Sequence, residues 1–272
     1  MTMITDVHMH LTDEAFNEDR DEIATSLSKN GVKWAITSGY DTKSNYLSVI
    51  LASWHYNIYA TVGMHPETAD EYDKAFENTL REFCINEKVV AIGEIGLDYH
   101  YEDNPPRDIQ KDTFLKQLVL AHELMKPVVI HSRDAAEDTF EMLRDNLPER
   151  GAVLHSFSQS SEMAKRYMEM NVMFSISGVA TFKNSAKVRE MIETLPVERI
   201  LIETDSPYMT PVPNRGKRNC PAYASLTART VSEIKGMDYG EFCAQVISNG
   251  ERFFKILQRE PKKERFKFRL FS

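Results

Sequence analysis

Short apolar runs of strand length recur along the chain, separated by segments whose apolar residues return every three or four positions. The runs are MITDVHM, VKWAITSG, NIYATVG, VVAIGEIG, PVVIHS, GAVLHSF, VMFSISG and RILIETD. Several are almost wholly apolar, as parallel strands covered on both faces are. Between them, Ile23 and Leu27 mark a helix that stops at Gly31, and Phe114, Leu118, Ala121 and Met125 mark one that stops before Pro127. DTFEMLRDNLP and SEMAKRYMEMN read the same way. Eight strands alternating with helices predict an α/β protein, and eight parallel strands can close into a barrel without edges. The first strand ends in His-x-His rather than GxGxxG, which disfavours an open doubly wound sheet. The expected fold is a single (β/α)8 TIM barrel spanning 1–272.

After the eighth run, SPYMTPVPNRGKRNCPAY predicts a long loop on the barrel's active face. Ala222 to Leu257 reads as two helices, and the basic and aromatic tail EPKKERFKFRLFS as a docked strand or a loose end. A hydrophobic share of 42% and a charged share of 27% are those of an ordinary globular protein. The formal charge of -8 argues against a whole-surface binder of DNA or membrane, but leaves room for a local basic site. Cys84 and Cys243 fall in helical patterns and Cys220 in a loop, with no CxxC and no disulfide framework. No apolar run reaches bilayer length and no basic–apolar leader opens the chain, so a cytoplasmic monomer is expected.

Six polar residues stand where strands end: His8, His10, Glu94, His131, His155 and Asp205. A carboxylate at such a position needs partners to offset its desolvation. Residues i and i+2 of a strand share a face, so His8 and His10 point the same way. Four imidazoles and two carboxylates on one barrel rim make a ligand set for two divalent ions. His8, His10 and Asp205 are assigned to one ion and His131 and His155 to the other, with Glu94 bridging. Two close metals can activate water and neutralise transition-state charge. Glu94 and Asp205 are therefore the expected catalytic residues, Asp205 taking the proton of the attacking water.

In order along the chain come DVHMHL, TVGMHPE at 61–67, AIGEIGLDY at 91–99, PVVIHSRDA at 127–135, LHSF at 154–157, LIETDSPY at 201–208 and RGKRNCPAY at 215–223. This set resembles the TatD family of metal-dependent deoxyribonucleases, within the amidohydrolase-like barrels, over nearly the whole chain. The resemblance implies a (β/α)8 barrel and phosphodiester hydrolysis, often from the 3′ end of DNA, with Mg, Mn, Zn or Ni in the site. The family's metal positions match all six residues. Ile95 departs mildly, standing where many members carry Cys.

Substrate contacts are expected around this set. His65 matches a family position near the substrate phosphate. Arg133, two residues beyond His131, can clamp a phosphate oxygen. Arg218 is preferred to Lys217 in the basic loop because it matches the family's more constant arginine. Tyr99 and Tyr208 flank ligand motifs and can stack on bases. Glu203, two residues before Asp205, is placed at an additional metal or as a tuning residue. Asn219 and Pro221 are read as loop-shaping, and His100 as a solvated loop histidine. DNA or RNA is the expected partner as substrate, without membrane. The competing readings are an amidohydrolase, lactonase or small-molecule phosphoesterase with the same metals, and a metal-stabilised scaffold without turnover.

Overall fold

The computed structural model describes residues 2–256. Among these, eight strands form one parallel sheet in chain order: β1 (Ile4–Met9), β2 (Val32–Ser38), β3 (Ile58–Val62), β4 (Val89–Asp98), β5 (Val128–Arg133), β6 (Ala152–Leu154), β7 (Val172–Ile176) and β8 (Ile200–Ile202). The seam between β8 and β1 is joined just beyond β8, where Asp205 N–H donates to His8 O at 2.9 Å and His10 N–H to Ser206 O at 2.7 Å. The Asp6 carboxylate reinforces it by accepting from Thr204 N at 2.9 Å. The sheet is thus a nearly closed barrel, as expected.

The helices lie outside: α1 (Arg20–Ser26), α2 (Thr42–Trp54), α3 (Lys74–Phe83), α4 (Arg107–Glu123), α5 (Ala136–Asn146), α6 (Ser161–Met168), α7 (Ala186–Thr194), α8 (Ala224–Ile234) and α9 (Tyr239–Phe254). The two expected terminal helices are α8 and α9. Helix α4 stops at Glu123, so Met125 lies beyond it with φ 53° and is half exposed, not on the core face. The tail from 257 onward lies outside the described residues. No described helix is long and apolar enough to cross a membrane. Cys243 is buried in α9, and Cys84 and Cys220 are half-buried.

Strand parity sorts the core. Val128, Ile130, Ala152, Leu154, Phe174 and Ile202 face the helices and belong to the larger apolar cluster. Their neighbours Val129, Val153, Met173 and Leu201 face inward and pack with Trp34, Phe253, Phe254 and Ile256. Those inward side chains fill the N-terminal half of the interior. Further along the same strands the inward positions are polar, and there the site begins.

Buried amides brace the C-terminal ends of the strands. Gln110 and Gln117 are two turns apart on α4, so both face the sheet. Gln117 accepts from Met64 N at 2.8 Å and donates to Met64 O at 3.0 Å. Gln110 does the same for Asp98 at 2.9 Å on both sides. Asn45 clamps Gly63 in the same manner, at 2.9 and 2.7 Å. Satisfied buried amides fix geometry where an unpaired one would be costly. The residues they grip adjoin His65 and His131's partner strand. At Gly96, φ is 144° and an added Cβ would lie 2.0 Å from His131 O, so only glycine lets β4 lie this close to β5.

Candidate metal centre

The six expected ligands converge at the C-terminal mouth of the barrel. His8 lies near the end of β1 and His10 just after it; His131 lies in β5. His155 follows the last residue of β6, and Asp205 lies three residues past β8. These two strands are shorter than their apolar runs suggest. Asp205 turns out of the extended conformation at φ 56°, which directs its carboxylate into the mouth. Glu94 sits in the middle of β4, because that strand runs on to Asp98.

Glu94 is the hub. Its Oε2 lies 3.2 Å from His8 Nε2 and 3.5 Å from His10 Nε2. Its Oε1 lies 2.9 Å from His131 Nδ1 and 3.5 Å from His155 Nε2. Asp205 Oδ1 faces the first pair, 3.7 Å from His8 Nε2 and 3.3 Å from His10 Nε2. His155 also reaches the first half, stacking on His8 with centroids 3.9 Å apart. His65 joins the second half, its Nε2 3.6 Å from Glu94 Oε1. Three groups of donors, His8–His155–Asp205, His8–His10–Glu94 and His65–Glu94–His131, are each compact enough to hold a cation.

The rings of His8, His10, His131 and His155 each have an oxygen near their second nitrogen. His10 Nδ1 donates to Ser38 O at 3.3 Å, and His8 Nδ1 meets Ser38 Oγ at 3.2 Å. His131 Nε2 meets Asp98 Oδ2 at 2.9 Å; His155 Nδ1 lies at ion-pair distance from Glu203 Oε1, 2.9 Å, without hydrogen-bond geometry. An outer N–H given to such a partner turns the other nitrogen's lone pair inward, the arrangement metal-binding histidines adopt. Glu203 thus lies against a ligand, and it also accepts from Ser156 N at 2.9 Å. Its Oε2 is buried without a hydrogen-bond partner.

The centre's electrostatics call for positive charge. Burial alone would raise the Glu94 carboxyl, yet His155, His8 and His131 hold it well below the usual range. Burial opposes protonation of His131, but Asp98 and Glu94 lift it to about 9. His155 is likewise lifted to about 10, by Glu203 and Glu94 against burial. Burial and the neighbouring His155 push His8 down. Two buried carboxylates among imidazoles therefore fit divalent cations.

Sequence reasoning missed Asp98 and Ser38. For Asp98 the one available signal was its strand parity with Glu94 four residues earlier. The expected surround divides. His65, Arg133 and Tyr208 line a cavity of about 650 Å³ over the centre. Tyr99 does not; its hydroxyl donates to Asp138 Oδ2 at 2.7 Å and Arg107 covers its ring. Tyr101 lines the cavity instead. Arg218 is not brought to the cavity either. Its guanidinium is held by both oxygens of Asp19 and donates to Ala15 O at 2.6 Å. Asn219 is loop-shaping, its Nδ2 bonded to Thr204 O and Tyr208 O at 2.8 and 2.6 Å. His100 is exposed and pairs with Asp134 at 2.8 Å.

The family profile described as TatD related DNase matches residues 5–255. The chain belongs to the TatD family. Among TatD relatives, the uncharacterized metal-dependent hydrolase YabD of Bacillus subtilis is 38% identical over 255 residues, covering 93% of this chain and all of that protein. The uncharacterized metal-dependent hydrolase YcfH of Escherichia coli is 34% identical over 260 residues, covering 93% of this chain and 96% of that protein. The crystal structure of YjjV, a TatD homolog from Escherichia coli, superposes with a TM-score of 0.88 at 26% identity, covering 93% of this chain and 98% of that one. The protein is thus a metal-dependent hydrolase of TatD type, with a ligand set for a divalent cofactor.

Proposed function

We propose that the protein is a phosphodiesterase that removes nucleotides from single-stranded ends of DNA, in the 3′ to 5′ direction, with RNA as a further substrate. One observation carries the reading. The two oxygens of buried Glu94 face separate histidine pairs, beneath a cavity whose one Lys or Arg side chain, among the described residues, is Arg133. That combination suits two cations and an anionic substrate.

In this proposal His8, His10 and Asp205 would hold one divalent ion, His131 and His155 the other, with Glu94 shared between them; Glu203 lies against His155 and would offer its free oxygen to an additional ion. The ions, Mg, Mn, Zn or Ni, supply Lewis acidity to the phosphoryl group and acidify water. Arg133 orients a phosphate oxygen. His65 Nδ1 accepts from Glu67 N at 3.3 Å, which leaves Nε2 protonated and pointing at the centre. That N–H suits a phosphoryl oxygen better than a metal. Water oxygen attacks phosphorus in line, its proton passes to Asp205, and the P–O3′ bond breaks with its electron pair going to the leaving 3′ oxygen. The family name of the matching profile, DNase, and the cavity of about 650 Å³ over the buried donors support this reading. Three free cysteines agree with action in the reducing cytoplasm, and we take the enzyme to work as a monomer.

The test is a substrate panel of single-stranded DNA, RNA, bis(4-nitrophenyl) phosphate, a lactone and an amide, run with Mg, Mn and Zn, with Glu94→Ala as control. Metal-dependent release of mononucleotides from DNA, lost in the control, is the expected result. Turnover of only the lactone or amide would overturn the proposal.

A further inference from the structure

The walls of the cavity differ in charge. On the β1 and β8 side, Tyr208 is about half exposed and its hydroxyl donates to Asp13 Oδ2 at 2.7 Å. Asp205 lies below it, and no Lys or Arg of the described residues lines this side. On the β3 side stands Glu67. The β4 and β5 side carries Arg133 beside Asp98, and no carboxylate of the described residues lies within ion-pair distance of the guanidinium. Its guanidinium is held instead by Tyr101, 4.9 Å from the ring centroid, with Nη1 donating to the Tyr101 hydroxyl at 3.1 Å. Arg81, Arg144, Arg166 and Arg218, by contrast, are paired with Glu or Asp away from the cavity. Arg133 is left facing the cavity.

Tyr101 is itself a built feature. It is 46% exposed, yet its loop is fixed at several points. His100 N–H donates to Asp98 Oδ1 at 2.9 Å, and Asn104 donates to Asp98 O at 3.2 Å. The His100 ring packs edge-on against Tyr101 at 4.9 Å and is tethered to Asp134. The carboxylate that backs His131 therefore also sets the height of this aromatic ring above the centre. An exposed aromatic held rigid beside an unpaired guanidinium matches the two parts of a nucleotide, a π-face and an anion.

We propose that Tyr101 and Arg133 form the subsite for the nucleotide next to the scissile bond on the retained strand, its base stacked on Tyr101 and its phosphate on the guanidinium. The proposal rests on the phosphodiesterase reading above and gives the strand a direction through the site. The retained strand leaves over β4 and β5. The released nucleotide lies toward Tyr208, the side whose lining offers no Lys or Arg to a further phosphate.

The experiment compares a single-stranded oligonucleotide with the same strand lacking the base at its penultimate residue, in the metal-loaded full-length protein. For the unsubstituted protein, kcat/KM should be about tenfold higher on the intact strand, chiefly through KM. Tyr101→Ala should lose that preference and Tyr101→Phe should keep it, both with unchanged metal content. A Tyr101→Ala protein that still prefers the intact strand overturns the subsite. Hydrolysis of bis(4-nitrophenyl) phosphate with neither oligonucleotide cut would instead overturn the nuclease reading, and the subsite with it.

Discussion

The interior of this barrel has two unlike ends built from the same strands. Toward the N-terminal end of the strands, Val129, Val153, Met173 and Leu201 pack with Trp34, Phe253 and Phe254 in an apolar floor. Two residues further on, the same inward positions are His131, His155 and Glu203. Both ends are buried, but burial acts in opposite senses. In the floor it stabilises, at about 25 cal/mol per Å² of apolar surface. In the mouth it costs free energy, which Ser38, Asp98 and the facing charges offset only in part. The difference assigns stability to the floor and chemistry to the mouth, and it can be broken from either side.

The largest effect should come from the hub of the mouth. Glu94→Ala is expected to lower kcat on a phosphodiester by at least ~10³-fold while far-UV circular dichroism stays native. A variant with normal turnover would remove Glu94 from the chemistry. The floor should show the mirror image. Leu201, fully buried, should cost about 3 kcal/mol of unfolding free energy as Leu201→Ala, read by urea denaturation, with kcat nearly unchanged. A large fall in kcat at native stability would mean that floor and mouth are coupled.

A subtler change probes what lies behind the ligands. Asp98→Asn keeps the size of the group at 2.9 Å from His131 Nε2 but removes its charge. Metal affinity or kcat should fall by roughly 10–100-fold, measured by metal titration and steady-state kinetics, with little loss of stability. Unchanged metal affinity and rate would reduce Asp98 to an anchor of its loop.

The smallest effect is expected at Arg218, outside both regions. Arg218→Ala should change stability by under about 1 kcal/mol and leave KM on DNA unaltered. The Arg218 hydrogen bond holds the Asp19 carboxyl below its usual range, so the pair's contribution is full above that range and is lost as pH falls below it through the lowered folded-state value. A raised KM would restore Arg218 to the substrate.

The contrast between the two ends also explains what the sequence could show. Parity is a local property, so His8 with His10, and His131 with Arg133, were legible as shared faces. The barrel was legible because nearly every strand is an apolar run bounded by helical periodicity. Asp98 obeyed the same parity with Glu94, but the departure of Gly96 at φ 144° makes counting along β4 less secure. Tyr99 and Tyr101 lie two residues apart just beyond β4, and which of them reaches the cavity depends on Arg107 and Asp138, set by packing. Arg218 was illegible for a similar reason. The acid that claims it, Asp19, is 199 residues away in sequence. Local pattern locates ligands on strands; it does not locate the partners of long side chains on loops.

Glu94 is proposed to bridge the two ions, and electron paramagnetic resonance of the manganese-loaded protein tests that bridge most directly. The unsubstituted protein should bind a pair of ions and give an exchange-coupled multiline spectrum, and Glu94→Ala should retain at most one ion with an uncoupled six-line signal. Uncoupled ions in the unsubstituted protein, or a coupled pair surviving in Glu94→Ala, would contradict the bridge.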